Sequence, residues 1–107
     1  MTTDQSTPTE LTSLDELDAA PHATVFDGGD PEVVKLALAR DERVPSHRHP
    51  DRTVVLYLVS GALALDLDDE TYALDAGEAV RFDGARAVSP RALEPSVALV
   101  VLSPTAE

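Results

Sequence analysis

The chain has no cysteine. A disulfide framework, a thiolate metal site and a cysteine nucleophile are therefore excluded. No apolar run approaches the ~20 residues that cross a bilayer as a helix. Lysine is nearly absent: of eight basic residues only Lys35 is a lysine. Basic charge as a whole is scarce, with 20 Asp and Glu giving a net charge of −12. Such a surface repels phosphate backbones and anionic lipid, so neither nucleic acid nor a membrane is an expected partner. Met1 to Pro8 carry neither the basic nor the apolar stretch of a secretory signal, and a cytoplasmic location is expected. There is no glycine-rich phosphate loop, since Gly28-Gly29 alone reads as a turn. No serine sits in a recognisable nucleophile elbow. The acidic runs Asp15-Glu16 and Asp68-Asp69-Glu70 fall in helix-start and turn contexts and read as solvated faces, not acid–base pairs.

What remains is one small domain of 107 residues. Residues 1–12 are rich in Thr, Ser, Gln and Pro and read as a disordered tail, 13–104 as the domain, and 105–107 as a C-terminal tail. Ser13-Leu14-Asp15-Glu16 has the pattern of a capping box, predicting one short helical turn through about Leu17, stopped by Pro21. From there helical periodicity disappears. Short strand-like runs follow: Ala23–Phe26, Val33–Ala39, Thr53–Val59, Ala62–Leu67, Thr71–Leu74, Ala79–Phe82, Arg91–Glu94 between two prolines, and Val97–Leu102. Turn residues separate them at roughly 8–12-residue spacing, which predicts an all-β antiparallel sandwich or barrel. The runs Val54–Val59 and Val97–Leu102 are apolar on both faces. A half-exposed antiparallel strand alternates with polar residues. Both faces are therefore expected to be covered, by a second sheet or by the partner of a homodimer.

His47-Arg48-His49 is the densest chemical signal. On a strand, residues two apart point the same way, so both imidazoles can enter one cavity. Two neutral imidazoles are half of a metal site, which takes about three or four ligands. Asp51, Thr53, Glu78 and Asp83 are the nearest further donors in the sequence. His22 reaches the same place only if the N-terminal segment folds across the barrel mouth.

The spacing around this triplet resembles the cupin superfamily of small β-barrels, over roughly residues 13–104. The first cupin motif runs Gly, five residues, His-x-His, three or four residues, Glu, six residues, Gly. His47, His49 and Gly61 fit it, while Val54 takes the Glu position and Asp41 the opening Gly position. The second runs Gly, five residues, Pro-x-Gly, two residues, His, three residues, Asn. Gly77 fits its start, with Asp83 at the Pro position, Ala85 at the Gly position and Gly84 one residue early. Val88 takes the His position and Ala92 the Asn position. Fifteen residues, Ala62 to Ala76, separate the motifs. The resemblance implies a small antiparallel, jelly-roll-like cupin β-barrel with a short N-terminal helical turn. It also implies one divalent metal ion (Fe, Mn, Ni or Zn) on three His and one Glu, of which His47 and His49 are kept. Val54 and Val88 offer no lone pair, so a metal-free pocket stays open beside the metal site. By the same resemblance Tyr57, at opposite parity to Val54, faces away from the cavity.

Five of the eight basic residues lie in or beside the two motifs: Arg48, Arg52, Arg81, Arg86 and Arg91. In cupins the motif ends surround the barrel mouth. The guanidinium fork suits carboxylate or phosphate, which points to a small anionic ligand held by Arg52, Arg81 and Arg86. Arg48 must point outward if both flanking histidines point inward. Three functions are therefore open. The first is a module binding a small anionic ligand. The second is a metal-dependent cupin enzyme of the dioxygenase, isomerase or lyase type, with His47 and His49 as ligands. The third is a structural or regulatory partner acting through apolar faces. The acidic, nearly lysine-free composition resembles that of salt-adapted, haloarchaeal-type cytoplasmic proteins.

Overall fold

The computed structural model describes residues 9–18, 21–26 and 28–105. Residues 1–8 of the expected tail lie outside that set, as do residues 106 and 107 of the C-terminal one. Leu14–Glu16 form a single 3-10 turn. The expected capping box does not form: the Ser13 side chain makes no capping bond. In so tight a turn the Glu16 N–H, which a capping-box hydroxyl would take, is already donated to the Ser13 carbonyl at 3.1 Å.

Among the described residues six strands follow: β1 (His22–Thr24), β2 (Glu32–Leu38), β3 (Arg52–Leu67), β4 (Glu70–Asp75), β5 (Ala79–Asp83) and β6 (Val88–Pro104). All pairings are antiparallel. The order is β1-β2-β6-β3-β4, with β5 also on β3, so the sheet is jelly-roll-like and does not close on itself. β3 and β6 pair along almost their whole length and bend together. Their bend makes two layers from one ladder. The first half of β3 lies between β5 and the second half of β6, which also carries β2. The second half of β3 lies between β4 and the first half of β6. The isolated bridges Arg43↔Arg91 and His47↔Val88 lay the segment before β3 along that second layer.

The bend explains why fewer strands form than the sequence pattern predicts. Ser60-Gly61 reads as a turn, yet it is a bulged corner inside β3, with register shifts between Leu58 and Leu63. Gly61 has φ +92°, and a β-carbon there would strike Ser96 Oγ, the Pro95 carbonyl oxygen and Ser96 Cα, the last at 2.7 Å. Ser96 fills the corner. Its hydroxyl accepts from the Ala62 N–H at 3.1 Å and donates to the Glu94 carbonyl at 2.7 Å. Pro90 and Pro95 do not delimit a separate strand either: both lie within β6. A proline lacks only its own N–H, and the Pro90 carbonyl still accepts from Val44 N–H at 2.9 Å.

The core lies between the layers, on Leu56 and Leu58 of one and Leu63, Leu65 and Leu67 of the other, all nearly or fully buried. The apolar outer face of the first layer divides in two. Over β2 it is covered, since buried Lys35 donates to the Leu14 and Leu17 carbonyls and pins the N-terminal turn there. Over β3 it is open, with Tyr57 42% and Val59 41% exposed.

Candidate functional site

His47 and His49 sit where the segment before β3 meets both layers. The backbone of His47 exchanges two hydrogen bonds with Val88: His47 N–H to Val88 O at 3.0 Å and Val88 N–H to His47 O at 2.8 Å. Downstream, the His49 N–H donates to the Gly84 carbonyl at 2.7 Å, and the Gly84 N–H to the Arg52 carbonyl at 2.8 Å. Gly84 is needed for this close approach. A β-carbon there would strike the His49 carbonyl oxygen and come within 2.8 Å of the Arg52 carbonyl. The glycine that stands one residue early against the cupin pattern is thus the seat of the His49 turn.

The two rings meet edge to face with centroids 4.7 Å apart and planes at 89°. His47 Nδ1 lies 2.8 Å from the Pro45 carbonyl. A carbonyl only accepts, so Nδ1 carries a proton, and in the neutral ring Nε2 keeps its lone pair. Burial holds the His49 imidazole below its ordinary pKa, and the neighbouring His47 lowers it further. Glu32 opposes this and Arg52 adds to it. Arg48, between the histidines, is exposed and donates to the Ala85 carbonyl at 2.7 Å, in a stretch that pairs as a strand only through the isolated bridge at His47.

Both imidazoles line a cavity of about 470 Å³ between the layers. Its walls are Val34 and Leu36 of β2, Leu56 of β3, Phe82 of β5, and Val100 and Leu102 of β6. Val44, Pro45, Ser46, Val88 and Pro90 complete it on the histidine side. His22 also lines it, so the N-terminal segment does fold across, as β1 paired on β2.

The expected arginine cluster is not gathered around this cavity. Among the described residues no arginine lines it. Arg86 is drawn to the β3–β4 hairpin, where Nε meets Asp68 at 2.9 Å and Nη2 meets Glu70 at 2.7 Å. Arg81 lies exposed on β5, opposite Val55 and at the parity facing away from Phe82. Arg52 stays next to the site without lining the cavity. Its backbone N–H donates to the His49 carbonyl at 3.2 Å and its Nη1 is 3.2 Å from Asp30. Proximity to the motifs in sequence groups the arginines, but strand parity and the hairpin's acidic turn decide where each points. Asp30 and Glu32 carry no signal in the sequence: Asp30 meets Arg52, and the register of β2 against β6 sets Glu32 opposite Leu102 on the cavity wall. No local pattern announces that pairing. Phe82 is legible as the inward residue of an alternating strand.

The family pattern described as Cupin domain matches residues 34–102. The chain belongs to the cupin domain family. No curated protein matches it. Among solved structures this cupin is similar to KdgF from Halomonas sp., at 23% identity over 94% of this chain and 97% of that one, TM-score 0.78. It is also similar to TT1209 from Thermus thermophilus, at 22% identity over 92% of this chain and 100% of that one, TM-score 0.76. A third is an uncharacterized protein with a double-stranded β-helix domain from Klebsiella pneumoniae, at 19% identity over 91% of both chains, TM-score 0.78. At these identities the likeness shows the fold.

The donor set of this cupin does not fit the four-ligand ion that the family resemblance implies. Val54, 1% exposed, stands at the Glu position and Val88, 4% exposed, at the third His position. Asp83 and Glu78 are taken by turns, accepting from Ala85 N–H at 2.9 Å and Asp75 N–H at 2.7 Å. Among the described residues no three His, Asp or Glu side chains group around one point that an ion would occupy.

Proposed function

We propose that this cupin binds a small molecule with an apolar body and an acidic head in the cavity between its layers. One observation carries the reading: the His47–His49 pair, 4.7 Å apart, stands in a cavity whose other walls are almost all apolar. Its volume of about 470 Å³ is within the range of small-molecule pockets, ~300–1,000 Å³. Leu56, Phe82, Val100 and Leu102 suit the body, and burying it supplies the affinity. The imidazoles and Arg52 suit the head, which would compete with Asp30 for the guanidinium. Arg81 and Arg86 have no part in this reading.

A metal-dependent enzyme is the second reading. The orientation of His47, Nδ1–H on a carbonyl and Nε2 free, is the one metal-bound histidines commonly adopt. Two imidazoles alone hold a divalent ion weakly, which favours the first reading. Calorimetric titration with decanoate tests both, using wild type and the His47→Ala/His49→Ala variant. Binding in the wild type that weakens about tenfold or more in the variant supports ligand binding through the pair. Stoichiometric metal in the purified wild type, lost in the variant, replaces it with the enzyme reading.

The open outer face over β3 supports a homodimer. Tyr57 and Val59, with half-buried Val55, Leu99 and Val101, form an apolar strip that a second copy would cover. The acidic, lysine-poor composition supports a salt-adapted protein of the cytoplasm.

A further inference from the structure

We infer that the cavity takes a ligand that is polar at both ends, an ω-hydroxy carboxylic acid with an apolar middle, and that His22 reads the hydroxyl end. The inference rests on the cavity-binding reading above and adds a second recognition point to it.

His22 lies outside the residues matched by the cupin pattern, which begin at 34. It reaches the cavity through β1, a three-residue edge strand. The register sets His22 opposite Leu36, Ala23 opposite Lys35 and Thr24 opposite Val34. Leu36 lines the cavity, whereas Lys35 is bound to the N-terminal turn on the outer face. Directly opposed residues share a face, so His22 shares the inward face of Leu36. The Ala37 N–H donates to the Pro21 carbonyl at 2.7 Å and fixes the strand's entry.

The same register separates His22 from the other histidines. Across the inner face one row runs His22, Leu36, Ala98, Leu58, and another runs Glu32, Leu102, Val54, Phe82. His49 lies at the Phe82 end of the second row, where its N–H donates to the Gly84 carbonyl, two residues past Phe82. Glu32 and Leu36 are four residues apart on β2, about 13 Å along the strand. Between the rows stand Val34, Val100 and Leu56, all apolar and all lining the cavity.

The cavity is therefore polar, apolar, polar along the strand direction. The two ends differ. At one, His47 and His49 stand together, with Arg52 at the rim, where an acid head would compete with Asp30 for the guanidinium. At the other, His22 presents a single imidazole, which both donates and accepts and matches a neutral hydroxyl.

The test compares ω-hydroxydecanoate with decanoate, identical but for the terminal hydroxyl, by calorimetry on wild type, His22→Ala and His22→Gln. Position 22 is exposed on an edge strand, so both variants are expected to fold. Wild type should prefer ω-hydroxydecanoate by about fivefold, the worth of one hydrogen bond. His22→Ala should bring that preference close to unity, and His22→Gln should keep part of it. A wild type that binds both acids equally overturns the role of His22 and leaves the cavity reading standing. A preference that survives in His22→Ala does the same. If neither acid binds, the inference falls together with the reading it rests on.

Discussion

His47 and Val88 form a hydrogen-bonded antiparallel pair, with N···O distances of 3.0 and 2.8 Å. In such a pair the two side chains lie on the same face with Cα atoms about 5.5 Å apart. Position 88 is thus aimed beside His47, and the valine there, not the backbone, keeps a third imidazole from the cavity.

Val88→His should therefore build the missing corner. Its imidazole would join His47 and His49, and affinity for Ni(II) or Zn(II) should rise about tenfold or more over wild type. Isothermal titration with each metal, in wild type and variant, checks this. No gain would mean that position 88 does not face the pair.

Gly61→Ala should be among the most damaging small substitutions in the chain. It puts a β-carbon on a backbone with φ +92° and against Ser96 Cα at 2.7 Å. The bent corner that divides β3 between the layers has no room to relax. A loss of about 2 kcal/mol or more is expected. Denaturant unfolding monitored by circular dichroism measures it, and a loss under about 0.5 kcal/mol would contradict the close packing at the corner.

The β3–β4 hairpin should make stability acid-sensitive through Arg86. Its hydrogen bonds are the first cause of the lowered pKa of both Asp68 and Glu70. Carboxyls with depressed folded-state pKa stabilise above their unfolded values, here 3.8 and 4.5, and that stability is lost as pH falls through the folded values. Arg86→Met should lower the melting temperature at neutral pH and flatten its decline below about pH 4.5. Thermal melts across this range decide it. Parallel declines in wild type and variant would show that the pairs contribute nothing.

The outer strip should hold two copies together. Light scattering after size exclusion should give about twice 11.4 kDa for wild type and 11.4 kDa for Tyr57→Glu/Val59→Glu. A wild type of single-chain mass would remove the homodimer.

The fold class is legible in the sequence alone. Short apolar runs and turn residues predict an antiparallel sandwich or barrel, because strand period and turn chemistry are local properties, and the spacing of His47, His49, Gly61 and Gly77 adds the resemblance to cupins. That Ser60-Gly61 is a corner and not a chain reversal emerges only in three dimensions, because it depends on Ser96 and Pro95 arriving from β6 to fill it. The fate of the arginines is settled at the same level. Arg86 and Arg52 lie near the motifs in sequence, but the acidic hairpin takes one while Asp30, just before β2, pairs with the other next to His49. His22 shows the same division. The sequence supplies an imidazole and a condition, and the pairing of a three-residue edge strand places it on the cavity wall. Contacts between residues distant in the chain are set by register and packing, and no local pattern encodes them.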